Sequence, residues 1–242
     1  MTKRNNNSGG GVAGRHASPA GAIPGYVKKA NARYDRHDHF YRRAKEEGFV
    51  ARSIYKLDEI DREYKLIKKG DIVVDLGCAP GSWMQYVEER IGDNGRGFGI
   101  DLLPVKTAFS DRIRTIQGDA FAVTLEQLTD SRAGELRPID VVLSDMAPNT
   151  TGIRSVDAAR SYALCERALE VAARLLRPGG HFVVKVLEGG EQKAFIEQCK
   201  EVFAHVKIKR PKSTREGSTE TFVIGLHRKQ PPALAKEAKP TA

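Results

Sequence analysis

DIVVDLGCAPGSW, Asp71 to Trp83, passes from an apolar run into a glycine turn, and its reading decides the fold. Ile72, Val73, Val74 and Leu76 leave no polar face, which predicts a short strand covered on both sides. Gly77 and Gly81 permit a tight turn and close backbone approach, and a helix is expected from Gly81 to about Ile91. A ligand could therefore lie against that helix's N-terminus. The spacing is not GxGxxG, and no Lys-Ser/Thr pair closes the loop, so nucleoside triphosphate hydrolysis is poorly supported. A generic strand-turn-helix accounts for two glycines. It accounts less well for the acidic Asp75 and for Pro80 beside Gly81.

Outward from this unit, the same brief β-branched runs recur at Arg96 to Ile100, Ile113 to Ile116, Ile139 to Ser144 and His181 to Val186. Upstream, Val50, Ile54, Leu57, Ile60 and Tyr64 fall within about 120° of one helical face. Lys56 lies roughly 40° outside that stripe, where it can snorkel toward a cleft or remain an ordinary surface lysine. Leu164, Ala168, Val171 and Leu175 mark a long amphipathic helix that Pro178, Gly179 and Gly180 should stop. Strand and helix alternate throughout, which predicts an α/β fold: a mostly parallel sheet with helices on both faces. Val206 to Lys209 and Thr221 to Leu226, joined by the basic loop PKSTREGSTE, predict an antiparallel hairpin at one edge. A short basic helix is expected within Tyr34 to Glu47.

The 242 residues suit one sizeable core, and no apolar run approaches the ~20 residues of a bilayer span. The start MTKRNNNSGGG lacks a hydrophobic signal core, so a cytoplasmic protein is expected. Residues 1–32 read as a flexible basic extension, 33–228 as the domain, and 229–242 as a flexible tail. Charge is unevenly placed. Residues 1–48 hold ten Lys/Arg against four Asp/Glu, residues 207–242 nine against three, and the middle 21 against 24. A slightly acidic body with two basic ends suits a polyanion, although solvated basic tails produce the same count. Cys78, Cys165 and Cys199 lack zinc spacing and an even number, which implies a reducing compartment and no metal.

Acidic residues recur at successive strand ends. Asp101 can hold a ribose hydroxyl pair and Asp119 can accept from an adenine amino group, though either alone is an ordinary loop aspartate. Asp145, in SDMAPN, ends an inner strand where open sheets bind ligands; a helix cap is its simpler explanation. Lys185 interrupts HFVVKVL, a strand expected to be buried on both faces, and an unpaired ammonium there is costly. It needs a carboxylate partner or a cleft. Glu220, before TFVIGL, either points at the same cleft or flanks a turn. Spacing alone does not assemble Lys56, Asp145, Lys185 and Glu220 into one group.

RSIYKLDEID (Arg52 to Asp61), VVDLGCAPGSWMQYV (Val73 to Val87), IDLLP (Ile100 to Pro104), QGDA (Gln117 to Ala120), SDMAPN, FVVKV (Phe182 to Val186) and KRPKSTREGSTETFVIG (Lys209 to Gly225) occur in order. Together, from about Tyr34 to Arg228, they resemble the FtsJ/RrmJ family of ribose methyltransferases. The resemblance implies a Rossmann-like methyltransferase fold with a seven-stranded sheet, S-adenosylmethionine as cofactor, and transfer of its methyl group to a ribose 2′-oxygen. It further implies a uridine in the A loop of 23S ribosomal RNA as target, in the assembled or late-assembling large ribosomal subunit. A monomer with no membrane partner is expected. Lys185 matches the family's catalytic lysine, with Lys56, Asp145 and Glu220 as companions. Gly81, Trp83, Asp101, Asp119 and Asp145 match its cofactor contacts, and Asp75, Gly77 and Pro80 belong to the same loop. Ser82 and Cys78 stand where glycine and alanine are frequent, and the N-terminal extension is longer. Transfer RNA or another ribosomal ribose remains an alternative target, as do an RNA-binding assembly protein with a vestigial pocket and a small-molecule methyltransferase.

A protonated ribose hydroxyl is a poor nucleophile, so a base must take its proton during attack. A free lysine, with pKa ~10.4, is mostly charged near neutrality. Lys185 must therefore lose its proton to be that base, or else orient the hydroxyl and stabilise developing negative charge. RNA attraction would use Lys28, Lys29, Arg33, Arg36, Arg42 and Arg43 at one end and Lys209, Arg210, Lys212 and Arg215 at the other, with Tyr34, Phe40 or Tyr41 able to stack on a base.

Overall fold

The computed structural model describes residues 39–122, 124, 127, 139–149, 151–215 and 217–230. The N-terminal extension, Tyr34 and most of the C-terminal tail lie outside the described residues.

Seven strands form one sheet: β1 (Ile72–Leu76), β2 (Arg96–Asp101), β3 (Ile113–Gln117), β4 (Ile139–Ser144), β5 (Leu176–Leu187), β6 (Phe203–Lys209) and β7 (Glu220–Arg228). Their order is β3-β2-β1-β4-β5-β7-β6. The first five run parallel, and β7 pairs antiparallel with both β5 and β6. The expected Rossmann-like sheet with an antiparallel edge hairpin is therefore present. Its helices are α1 (His39–Glu46), α2 (Ile54–Tyr64), α3 (Ser82–Ile91), α4 (Arg154–Leu175) and α5 (Gln192–Val202).

Alternation within the strands builds two cores. Ile72, Val74 and Leu76 pack with Ala168, Val171 and Phe195 of α4 and α5. Val73, from the other face of β1, packs with Leu57 and Ile60 of α2 and Met84 and Val87 of α3. All five β1 residues are buried, which explains the absence of a polar face in this strand.

Several boundaries differ from the sequence expectation. The helix predicted from Val50 begins at Ile54, and Val50 is exposed at 45%. Pro178, Gly179 and Gly180 do not stop α4, which ends at Leu175 and passes directly into β5. They form a break in pairing: Ile139 faces Leu176, whereas Val141 faces His181, and the residues between bulge out of register. Alternation also fails between β2 and β3, where Leu102 to Arg112 carries no helix. Conversely α5, which buries Phe195 and Cys199 four residues apart, was not expected. No described helix is long and apolar enough to cross a membrane.

Candidate active site

Strand register sets the site. Asp75 pairs with Gly99 and Leu143, and Leu143 pairs with Val183. Because side chains alternate, Asp75, Asp101, Asp145 and Lys185 emerge on the α2/α3 face at the carboxyl ends of adjacent parallel strands. The order reverses direction between β1 and β4, and crevices at such a point take ligands in open α/β sheets.

Lys185, 6% exposed in its side chain, answers the problem posed by its strand. Its Nζ lies 2.8 Å from Asp145 Oδ1 and donates to the Asp145 carbonyl at 2.7 Å. Antiparallel pairing then brings Glu220 close. Lys185 faces Phe222 and Leu187 faces Glu220, so Glu220 projects on the same face, one diagonal step away. Lys56 enters from α2 and donates to Glu220 Oε2 at 2.8 Å, with Nζ 5.7 Å from the Phe222 ring centre. Burial pushes the Glu220 carboxyl up, but the charge and hydrogen bond of Lys56, followed by Lys185 and Ser218, more than offset it and hold the group below its ordinary value. The four residues thus form two ion pairs that share one neighbourhood.

Asp75 has no such partner. It is 1% exposed, and neither carboxylate oxygen accepts a hydrogen bond from the described residues. Burial first, then the negative charges of Asp145 and Asp101, push its carboxyl well above the ordinary range. An orphaned buried acid at a strand end fits a site whose ligand brings a donor or positive charge.

The glycine loop is held tightly. Gly77 has φ +84°, and a Cβ there would sit 2.7 Å from Met146 Cγ. Gly81 has φ +114°, and its Cβ would meet Thr107 Oγ1 at 3.0 Å. Backbone conformation disfavours a side chain at both positions, and at Gly77 lack of space does so as well. Thr107 donates to the Pro80 carbonyl at 2.9 Å, which ties the helix-free β2–β3 connection onto the loop. Asp101 Oδ2 accepts from the Ala79 amide at 2.9 Å and Oδ1 from the Leu103 amide at 2.8 Å, so it shapes the loop while each oxygen keeps a lone pair. Asp119 is exposed and accepts from the Phe121 amide at 2.9 Å. Trp83 is buried: its indole donates to the Ser53 carbonyl at 2.9 Å, and its ring centre lies 5.9 Å from that of Phe222. Its side chain thus braces α3 against α2 and β7.

Sequence reasoning passed over Leu102 and Phe121, the exposed apolar side chains beside Asp101 and Asp119, at 57% and 51% exposure. Their signal was a large hydrophobic residue just beyond a strand-end acid. Arg52 and Ser53, which line a cleft with Lys56 and Glu220, were also passed over as site residues; they lie in the turn just before α2. Of the basic residues assigned to RNA, Lys28, Lys29, Arg33 and Arg36 lie outside the described residues. Lys209 is engaged internally by Glu63 and Glu59, and Arg43 by Glu47. Phe40 packs on Tyr55, with ring centres 5.6 Å apart.

Comparison with known proteins bears on these residues. The sequence pattern of the FtsJ-like methyltransferase family matches residues 49–228. The ribosomal RNA large subunit methyltransferase E of Desulfatibacillum aliphaticivorans is 47% identical over 192 residues, covering 79% of this chain and 91% of that protein. The protein of the same name from Bdellovibrio bacteriovorus is 45% identical over 196 residues, covering 81% and 99%. Among solved structures, a Plasmodium falciparum chain assigned as a ribosomal RNA methyltransferase superposes with a TM-score of 0.64 at 26% identity, covering 74% of this chain and 98% of that one.

Proposed function

The chain belongs to the FtsJ-like methyltransferase family, and from that premise we propose that it transfers the methyl group of S-adenosylmethionine to a ribose 2′-oxygen of large-subunit ribosomal RNA. The observation that carries this reading is the pairing of Lys185 with Asp145 beside the Lys56–Glu220 pair, at the ligand-binding end of the sheet.

The residues present fit the cofactor. The orphaned Asp75 carboxyl suits a cationic or donor group, Asp101 suits ribose hydroxyls, and Asp119 suits an adenine amine. Leu102 and Phe121 offer apolar cover for a flat ring. Gly77, Pro80 and Gly81 bring backbone close, and Trp83 holds the first turn of α3 in place. When bound, the cofactor supplies an electrophilic methyl group on a sulfonium.

The remaining work is positioning and proton handling. Asp145 fixes the Lys185 amine through two contacts, its carboxylate and its carbonyl. From there Lys185 takes the proton of the ribose hydroxyl during attack, once its own extra proton has left, or steadies the oxygen's developing charge. Glu220 holds Lys56 beside it, where that second cation can steady negative charge developing on the attacked oxygen. The target is a uridine of the A loop in the assembled or late-assembling large subunit, and the protein acts as a cytoplasmic monomer.

Incubation with labelled cofactor and, separately, large ribosomal subunits, free ribosomal RNA and bulk transfer RNA, followed by mapping of the modified ribose, tests the reading. Label is expected on one A-loop uridine 2′-oxygen. Label confined to transfer RNA would overturn the target, and label on a base would overturn the chemistry.

A further inference from the structure

Two helices begin side by side here. α2 carries Lys56 in its first turn, and α3 leaves the glycine loop with Ser82 as its first residue. Ser53 stands at the N-cap of α2, where a serine hydroxyl ordinarily accepts from an amide of the first turn. This one does not. Ser53 already has helical angles, φ −61° and ψ −18°, and its side chain makes no capping bond. The amides of Ile54, Tyr55 and Lys56 donate instead to the carbonyls of Ala51, Arg52 and Ser53. The Ser53 hydroxyl is thus free of helix initiation, and it lies 2.7 Å from the hydroxyl of the buried Ser82. The Ser53 carbonyl completes the junction. It accepts from the Lys56 amide at 3.0 Å and from the Trp83 indole at 2.9 Å. One residue therefore meets the first turn of α3 at two points and the backbone of Lys56 at a third. Lys56 Nζ in turn reaches Glu220 Oε2.

We propose that Ser53 and Ser82 form a positioning link that fixes Lys56 relative to the glycine loop, and hence relative to the methyl group and the attacked oxygen. The proposal rests on the reading of the protein as a ribose methyltransferase with Lys56 in its reacting neighbourhood. Neither serine touches the reacting atoms, and both act through Lys56. It explains why an N-cap serine spends its hydroxyl on a neighbouring helix rather than on its own. Transfer in line is sensitive to displacements of about 1 Å, so a loosened first turn of α2 costs rate rather than binding.

Single-turnover transfer to large ribosomal subunits, with cofactor and subunits saturating, reads the link. Ser53→Ala alone leaves the buried Ser82 hydroxyl unpaired, and the stability lost would obscure the effect. Ser53→Ala combined with Ser82→Ala removes both hydroxyls and should keep the wild-type melting temperature and cofactor affinity. Its saturating rate should fall about tenfold, with the half-saturating concentration of subunits unchanged. Ser53→Thr, which keeps a hydroxyl, should retain the wild-type rate. In a Lys56→Met background the same two alanines should bring no further loss, because the group they position is gone. A wild-type rate in the double alanine protein overturns the link. So does an equal loss in the Lys56→Met background, which would mean that the serines act on another group, and so does a wild-type rate in Lys56→Met alone. Failure of the functional reading is separable, since the wild-type protein would then transfer no methyl group to RNA.

Discussion

Lys185 and Asp75 pose opposite problems on one face of the sheet. Lys185 is a buried cation with an assigned counter-ion, and removing the amine tests its part in chemistry without opening a large cavity. Lys185→Met retains apolar volume and should remain folded with cofactor affinity nearly intact, while single-turnover transfer falls by ~10² to 10⁴. Near wild-type transfer would return Lys185 to a purely ion-paired role. Asp75 is a buried acid with none. Its raised pKa favours folding at low pH, and that contribution is lost as pH rises from the ordinary carboxylate range through the raised value. Asp75→Asn should therefore raise the melting temperature at pH 7.5 by roughly 2–4 °C for each kcal/mol relieved, show no such gain near pH 4, and bind the cofactor more weakly. Equal melting shifts at both pH values would show that Asp75 is already ionised.

Among the elements, β5 shows what the sequence made legible and what it hid. Lys185 within HFVVKVL was conspicuous because strand burial and charge conflict, and the conflict pointed to a carboxylate or a cleft. Its companions on distant segments were not, since only the β5–β7 register and the approach of α2 bring Glu220 and Lys56 together. Asp145 and the resemblance supplied what spacing could not. The start of β5 was hidden because Pro178 and the two glycines read as a helix stop, whereas the bulge they build lets Arg177 reach Asp140 Oδ1 at 2.6 Å. At that end His181 is buried beside His227, with ring centres 5.1 Å apart. Burial, then the charges of His227, Lys68 and Arg177, lower its pKa from 6.5 to about 4, against the opposing pull of Asp140. A depressed histidine contributes stability that is whole above 6.5 and declines as pH falls toward 4. Replacing it by Leu should remove roughly 3 kcal/mol of acid destabilisation over that window. Denaturant titrations of both proteins at pH 7, 6 and 5 would read this as a difference in slope, and parallel curves would contradict it.

For the molecule as a whole, charge placement and fold address different tasks. Many cations of the described body are engaged by its own acids: Arg62 by Asp58, Arg90 by Asp61, Arg167 by Glu170, and Lys209 by Glu59 and Glu63. Such pairs offer little net field to a polyanion, which agrees with the excess of acids over bases between residues 49 and 206. The long-range attraction must then come from the basic ends. Lys3, Arg4, Arg15, Lys28 and Lys29 all precede residue 33, with no Asp or Glu among them. Deleting residues 1–32 should therefore leave the melting temperature and cofactor affinity unchanged while weakening association with large ribosomal subunits. The log-log salt slope should become shallower by roughly one to three, according to how many of the five charges meet phosphate. Because the deleted charges act before contact, the association rate at low salt should fall more than the dissociation rate rises. An unaltered slope would mean that the extension stays clear of the RNA. A lower melting temperature would mean instead that residues 1–32 belong to the folded domain, against the boundary at residue 33.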